Sequence, residues 1–327
     1  MSNPIGEGAL KNSADEGPSR VAPLVRRHRD RTKLLKAAEE IRSSPELKSA
    51  DWVFTTTQLT QVTLPHSNPK GNPPTWKRTN GKFTLRIQPG YISDPKTNQD
   101  VCLGYPYGTV PRLLLIWLIT EARRTQSPHI SLGNSLHEFV DRIGMNSGNG
   151  STGSARSDKK RLLMQGRRLF KAIISFDWED DNSSQWVNMP ITDQGALWWS
   201  STNDSQGSFW DSWIDLGDRF YEAILRFPVN LDMRAIEAVK NSALGLDLYC
   251  ILMHKCWEAN SKNRNLFIPW RALQQQLGTE VRTTNNFRIK SKEQLAKIQA
   301  IHGNHLKAAA VRGGLMISRG SQLLPAP

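Results

Sequence analysis

Apolar residues recur at helical spacing through residues 154–176, SARSDKKRLLMQGRRLFKAIISF. On a 100° wheel, Leu162, Leu163, Leu169, Phe170, Ile173 and Ile174 gather on one side. Arg156, Lys160, Arg161, Arg167, Arg168 and Lys171 fall mostly on the other, and Lys159 adds to the basic run. The pattern predicts a helix that packs by one face and offers positive charge by the other. A solvated surface helix normally interleaves Glu or Asp with its lysines, whereas Asp158 is the only acid in this stretch. An anionic partner at this face is the expectation.

The same periodicity organises the rest of the chain. Residues 1–20 are polar and read as disordered; 21–43 form a helical arm with Arg26, Arg27, Arg29, Arg31, Lys33 and Lys36 over a thin stripe of Leu34, Leu35, Ala38 and Ile41. That arm either touches phosphates or leans on the first domain. β-Branched residues crowd 52–64 and predict a strand ending at Pro65. In 76–87, WKRTNGKFTLRI, Phe83, Leu85 and Ile87 alternate with polar residues after Asn80-Gly81, which predicts a hairpin. Residues 111–124, PRLLLIWLITEARR, are apolar all round and predict a buried central helix. A short extended piece at 130–132, a helix capped by Asn134 or Ser135, and a Gly/Ser-rich loop lead to the basic helix. With a β-ribbon over 175–199, this order is that of a winged helix-turn-helix.

A second unit repeats the order. A strand at 209–216 opens it, followed by a short helix at 219–227. Asp232 and Ser242 cap two further helices, Phe267-Ile268 are extended, Pro269 opens PWRALQQQL, a helix lies around 291–301, and Gly313-Gly314 turn a terminal hairpin. The fold class expected is α+β, mostly helical, with two tandem winged-helix domains carrying small β-hairpins. The boundaries expected are 1–49 for the tail and arm, 50–205 for the N-terminal domain with its basic helix, and 206–327 for the C-terminal domain, whose DNA-reading helix is about 288–302.

Charge sharpens this picture. The 327 residues carry 43 Lys and Arg against 30 Asp and Glu, net +13, which favours nucleic acid or an acidic membrane surface over a neutral metabolite; a heparin-type or ribosomal binder fits the same balance. From 262 to 319, eleven basic residues stand against Glu280 and Glu293. Arg282, Asn285, Asn286, Arg288, Lys290 and Lys292 cluster before or at the start of the third helix, with Lys297, Lys307 and Arg312 beyond. Arg pairs bidentately with guanine and Asn or Gln with adenine, so such a helix start suits the major groove. Residues 177–215 invert the charge, with eight acids and no Lys or Arg, and six tryptophans (178, 186, 198, 199, 210, 213) expected to staple strands or the interdomain contact. The acidic stretch would keep a wing tip off phosphate or cover the basic helix, unless it is simply a solvated loop.

Other chemistry finds little support. No phosphate-cradling G-x-x-x-x-G-K-[ST] motif is present. Cys250, His254 and Cys256 lack a second ligand pair and read as core residues, so no metal or other cofactor is expected. His302 and His305 do not form the His-x-His pair of a rolling-circle nickase. Three irregular cysteines suit a reducing cytoplasm, residues 1–20 lack the apolar stretch of a secretory signal, and the longest apolar run, 113–119, is too short to span a bilayer.

The segments LPHSNPKGNPPTWKRTNGKFTLRIQPG (64–90), GYPYGTVPRLLLIWLITEA (104–122), SLGNSLHEFVDRIGM (131–145) and FYEAILRFPVNLDMRAIEAVKNSALGLDLYCILMH (220–254) closely resemble the plasmid-encoded RepA-type replication initiators. The resemblance covers most of residues 50–320 and leaves out the arm. It implies a bacterial, non-enzymatic protein built from two winged helices that binds repeated double-stranded sites in a plasmid origin. It also implies recruitment of host replication proteins, an initiator and a helicase, and leaves self-association as a homodimer open. By that pattern Arg282, Arg288, Lys290 and Lys292 would face bases and nearby phosphates, and Arg156, Lys160, Arg167 and Lys171 would hold phosphates. A transcriptional repressor and, further off, a nicking enzyme are the alternatives.

Overall fold

A computed structural model describes residues 21–44, 46–142, 145, 152–180, 182–196, 212–278 and 283–323. The expected disorder of residues 1–20, Trp198, Trp199, Trp210 and Arg282 lie outside the described residues. The chain runs α1 (Val21–Ser43), β1 (Trp52–Thr56), α2 (Thr57–Gln61), β2 (Trp76–Asn80), β3 (Phe83–Gln88), β4 (Tyr91–Ser93) and β5 (Asp100–Cys102). It continues through α3 (Thr109–Thr125), β6 (His129–Ser131), α4 (Asn134–Arg142), α5 (Thr152–Phe170), β7 (Ile173–Asp180), β8 (Ser183–Asn188), β9 (Thr192–Ala196) and β10 (Trp213–Leu216). The remainder is α6 (Asp218–Arg226), β11 (Pro228–Asp232), α7 (Met233–Val239), α8 (Ala243–Ser261), β12 (Leu266–Pro269), α9 (Trp270–Leu277), α10 (Thr284–His302), β13 (Ala308–Val311) and β14 (Gly314–Ile317). The fold is α+β with helix predominating.

Two helices without a polar face, α3 and α8, form the centre. Leu114, Leu118 and Ile119 of α3 and Leu246, Ile251 and Leu252 of α8 are all at most 1% exposed. Truncating such a leucine to alanine removes about 2–5 kcal/mol of stability. Around them lie a four-stranded antiparallel sheet ordered β2-β3-β7-β8, three-stranded sheets β6-β10-β9 and β12-β14-β13, and the pairs β1-β11 and β4-β5. The β1-β11 pair joins Trp52 to Asp232 and Thr56 to Pro228, so the beginning and middle of the chain are stitched directly.

Several expectations need correcting, each for a local reason. The strand expected over 52–64 stops at Thr56. Thr57–Gln61 is helical, with Thr60 Oγ1 donating to Thr57 O at 2.8 Å, because burial of Thr60 and Val62 against the core outweighs β propensity. The basic helix ends at Phe170, and 173–180 is a strand. Its residues alternate, Ile173 being 56% exposed and Ile174 2%, which is period two where the wheel read period 3.6. The hairpin at 76–87 forms one residue later than Asn80-Gly81. Asn80 pairs with Phe83, leaving Gly81-Lys82 as the two-residue turn, with Gly81 at φ +59°. The terminal hairpin turns one residue earlier than Gly313-Gly314, Val311 pairing with Gly314 across Arg312-Gly313. Helix α10 begins at Thr284, earlier than the 288–302 or 291–301 expected, because Thr283 Oγ1 accepts the Asn286 N–H at 3.2 Å as a cap.

Strand pairing also redraws the first unit. The ribbon expected after the basic helix is present as β7 and β8, but it joins β3 rather than the short strand β6. The partner of β6 is β10, the strand expected to open the second unit. Strand β11, unforeseen in the sequence, completes the pair with β1. In contrast, the Asp232 and Ser242 caps are formed as expected, by Arg234 N–H at 2.9 Å and Gly245 N–H at 3.0 Å. Residues 243–317 run helix, strand, helix, helix, hairpin, and the first strand pairs with the last, β12 against β14.

Candidate nucleic-acid interface

Helix α10 buries one face and exposes another, with Ile289 exposed among the polar residues of the second. Phe287, Ser291, Leu295, Ile298 and Ile301, spaced by three or four residues, are buried against α8 and α9. Asn285, Asn286, Arg288, Lys290 and Lys292 are exposed on its first turns. The Arg288 Nη2 donates to Asn285 Oδ1 at 2.6 Å, so a guanidinium and an amide one turn apart are held as a unit. Lys297, two turns further along, is half-buried. Arg312 is exposed in the β13-β14 turn and Lys307 just before β13. They stand at opposite ends of a four-residue strand, about 13–17 Å apart along it.

The start of α10 is set by contacts to α9 and to the N-terminal half of the chain. Thr284 Oγ1 and Gln274 Oε1 of α9 lie 2.8 Å apart. Helix α9 ends at Gly278, whose φ is +51° and where an added Cβ would stand 2.0 Å from Arg78 Nε; only glycine fits. Arg78 of β2 donates to Gly278 O at 2.7 Å and, by Nη1, to Thr63 O and Thr63 Oγ1, both at 2.6 Å. Burial, reinforced by the like charge of Arg112, lowers the Arg78 guanidinium to about 9. Arg112 of α3 in turn holds Asp247 of α8 bidentately, Nε to Oδ1 at 2.7 Å and Nη2 to Oδ2 at 2.8 Å, and donates to Leu64 O at 2.6 Å. His66 Nε2 lies 2.7 Å from Asp247 Oδ2. Burial lowers His66 despite that carboxylate, so the ring is neutral near pH 7 and Nε2–H is the donor. For Asp247, burial raises the carboxyl, but Arg112 and the His66 hydrogen bond outweigh it and hold the group well below the usual carboxylate range.

Reasoning from sequence missed this network. Its only signals were charges in the wrong surroundings: Arg112 opening an apolar helix and Asp247 inside ALGLDLYCILMH.

The basic face of α5 is only partly assembled as expected. Lys160, Arg161 and Lys171 are exposed, and Arg167 is half-buried. Arg156 and Lys159 lie on α5, but their side chains are outside the described residues. Arg168 is turned against the protein: Nε donates to Leu103 O at 2.6 Å and the guanidinium sits 5.4 Å from the Tyr107 ring centroid. Helix α5 packs on α3, and α10 on α8 and α9, so the two basic sets ride on different helices of one core. The arm α1 packs against α7 and α10, both beyond residue 206, and not on the first domain as one sequence expectation had it.

The acidic stretch makes local pairs. Asp177 accepts from Arg86 of β3, and Asp215 accepts from Gln194 Nε2 at 2.7 Å and lies 2.6 Å from His129 Nδ1. Trp178 lies 6.0 Å from the Phe83 ring and Trp213 5.3 Å from His129, as staples would, whereas Trp186 is 72% exposed. Cys250 and Cys256 are buried, their thiols raised by burial, Cys256 to about 11. His254 Nδ1 pairs with Thr60 Oγ1 at 2.9 Å, and no group of His, Cys, Asp and Glu among the described residues has the arrangement to hold a metal ion. No helix among the described residues is long and apolar enough to cross a membrane.

Comparison with known proteins gives a family and similar solved structures. The profile of the family described as plasmid encoded RepA protein matches residues 105–271, from the residues before α3 into α9. No curated protein matches. A selenomethionine crystal structure of domains 2 and 3 of RctB aligns at TM-score 0.45 and 10% identity, over 80% of this chain and 95% of that one. A second structure of RctB domains 2–3 aligns at TM-score 0.43 and 10% identity, over 80% and 94%.

Proposed function

The chain belongs to the plasmid-encoded RepA family, and from that membership we propose that it initiates plasmid replication by binding repeated double-stranded sites in its origin. In this reading residues 243–317 are a winged helix. Helix α10 reads the major groove, the β13-β14 turn with Arg312 is the wing, and Asn285, Asn286, Arg288, Lys290 and Lys292 reach base edges and adjoining phosphates. The N-terminal half is a second winged helix whose α5 contributes Lys160, Arg161, Arg167 and Lys171 to the backbone. Its wing is β9-β10, the ribbon paired with β6, and the boundary between the units falls after β10. Binding alone is the chain's contribution, and the chemistry of replication belongs to the host initiator and helicase it recruits.

The observation that carries this reading is the exposed start of α10. Its guanidinium, amides and ammonium groups stand opposite a buried apolar stripe on a helix fixed at its start by Thr283, α9 and, through Gly278, Arg78. Fluorescence anisotropy on origin repeats tests it, comparing the wild type with Arg288→Ala/Lys292→Ala. A loss of about 1–3 kcal/mol on the specific site, larger than the loss on random duplex, is expected for base contacts. Equal losses on both duplexes would reduce α10 to a phosphate contact.

A further inference from the structure

An open cleft of about 460 Å³ lies between the 68–72 loop, the 102–104 segment and α5. Pro69, Pro73 and Pro74 stiffen the loop, and the Tyr105 hydroxyl donates to Pro73 O. Lys70 and Arg168 line the cleft, and among the described residues no carboxylate does. Two features set Arg168 apart from an ordinary surface arginine. Its Nε is spent on Leu103 O, which fixes the guanidinium, and its Nη1 is buried without a hydrogen-bond partner among the described residues. A buried cationic donor left unmatched is costly, so the charge of the held guanidinium is under-compensated, and an anionic oxygen in the cleft that Arg168 lines compensates it.

The third feature is Cys102, also in the cleft wall. Its sulfur accepts the Asn72 Nδ2–H at 3.2 Å. Burial raises the thiol, but the Gly104 N–H, the Asn72 amide, the Tyr91 hydroxyl and the Arg168 charge outweigh it and hold the group below its ordinary value. The cleft therefore favours negative charge near Arg168, at the thiol and along the wall that Lys70 and Arg168 line.

From this geometry we propose that the cleft is a phosphate-binding site, in which Lys70 supplies a mobile ammonium and Arg168 a fixed guanidinium to one phosphomonoester or phosphodiester group. The ligand is either a backbone phosphate of DNA passing beside α5 or a free phosphate compound. The site stands on the cleft itself and does not depend on α10 reading bases.

Cys102 reports occupancy in the full chain. Cys250 and Cys256 are buried, so iodoacetamide reacts first at Cys102, followed by mass spectrometry. The probes are pyrophosphate, origin-repeat duplex, and sodium chloride at matched ionic strength. A ligand at about ten times its Kd slows the labelling about tenfold. Protection by pyrophosphate that is lost in Lys70→Ala, an exposed position whose change leaves the circular dichroism spectrum intact, supports the site with a free phosphate as a ligand. Protection by duplex alone, again lost in Lys70→Ala, supports it with DNA as the source. Chloride protecting as well as either probe, no protection by any, or full protection retained in Lys70→Ala would overturn it. Anisotropy on the same samples separates the two readings, since pyrophosphate protection without any duplex binding would sustain the cleft and sink the DNA-binding proposal.

Discussion

At the scale of single residues, the most consequential group is Asp247. Its carboxylate is buried in α8 and is balanced by Arg112 and His66, while Arg112 and Arg78 satisfy the carbonyls of Thr63, Leu64 and Pro65. A buried pair broken from one side leaves an uncompensated charge. Arg112→Ala is therefore expected to cost about 3–5 kcal/mol in urea unfolding, and a loss under about 1 kcal/mol would show that water already reaches the pair. Two histidines set the acid limit. Burial lowers His254 and His302 to about 4, His302 stacking on Tyr249 at 5.7 Å. Their folded values lie below the unfolded value of about 6.5, so the unfolded chain binds more protons there and stability falls as pH drops from about 6.5 towards 4. Urea midpoints at pH 7 and pH 5 should differ in that direction, and the gap should narrow in His302→Phe; equal midpoints would contradict the burial. None of this network was visible as a pattern. An arginine and an aspartate more than a hundred positions apart carry no periodic signal, and only their placement in apolar runs hinted that each had a partner.

At the scale of elements, local chemistry fixed more than periodicity did. The caps at Asp232 and Ser242, the buried α3 and the α9 start at Pro269 and stop at Gly278 were readable because each is decided by a few adjacent residues. The end of α5 was not. Both Ile173 and Ile174 fit an apolar helical face, and only the pairing of β7 with β3 exposes the first and buries the second. For the same reason the polar and basic residues at the start of α10 were legible as an exposed cluster, while the support from Arg78 was not. That support is testable. Arg78→Ala removes the clasp on Gly278 and should weaken duplex binding several-fold although Arg78 is buried away from solvent, alongside a loss of stability from the unsatisfied carbonyls of about 1–3 kcal/mol. Binding unchanged in the folded variant would mean α10 is positioned without it. In the arm, Arg26→Ala/Arg27→Ala should cost less specific affinity than Arg288→Ala/Lys292→Ala by anisotropy; the reverse order would move the reading element to α1.

At the scale of the whole molecule, a chain of net +13 wraps one continuous core, with β1-β11 and the Asp247 network joining early and late segments. Much of the order of elements along the chain was legible because turn and cap residues punctuate it. The exchange of strands, with β10 serving β6 and β7-β8 serving β3, was not, since register between distant strands is chosen by burial after collapse. If α5, α10 and the wing together neutralise about six to ten phosphates, affinity for duplex should fall about 10³- to 10⁵-fold between roughly 50 and 200 mM salt. A flat dependence would make the basic faces structural.

The most direct test of the central claim is selection of bound fragments from a random duplex library at about 150 mM salt, followed by sequencing. An initiator of this family should enrich a shared motif arranged as direct repeats, each repeat bound with its own affinity. Enrichment of palindromes alone, or of nothing, would contradict it.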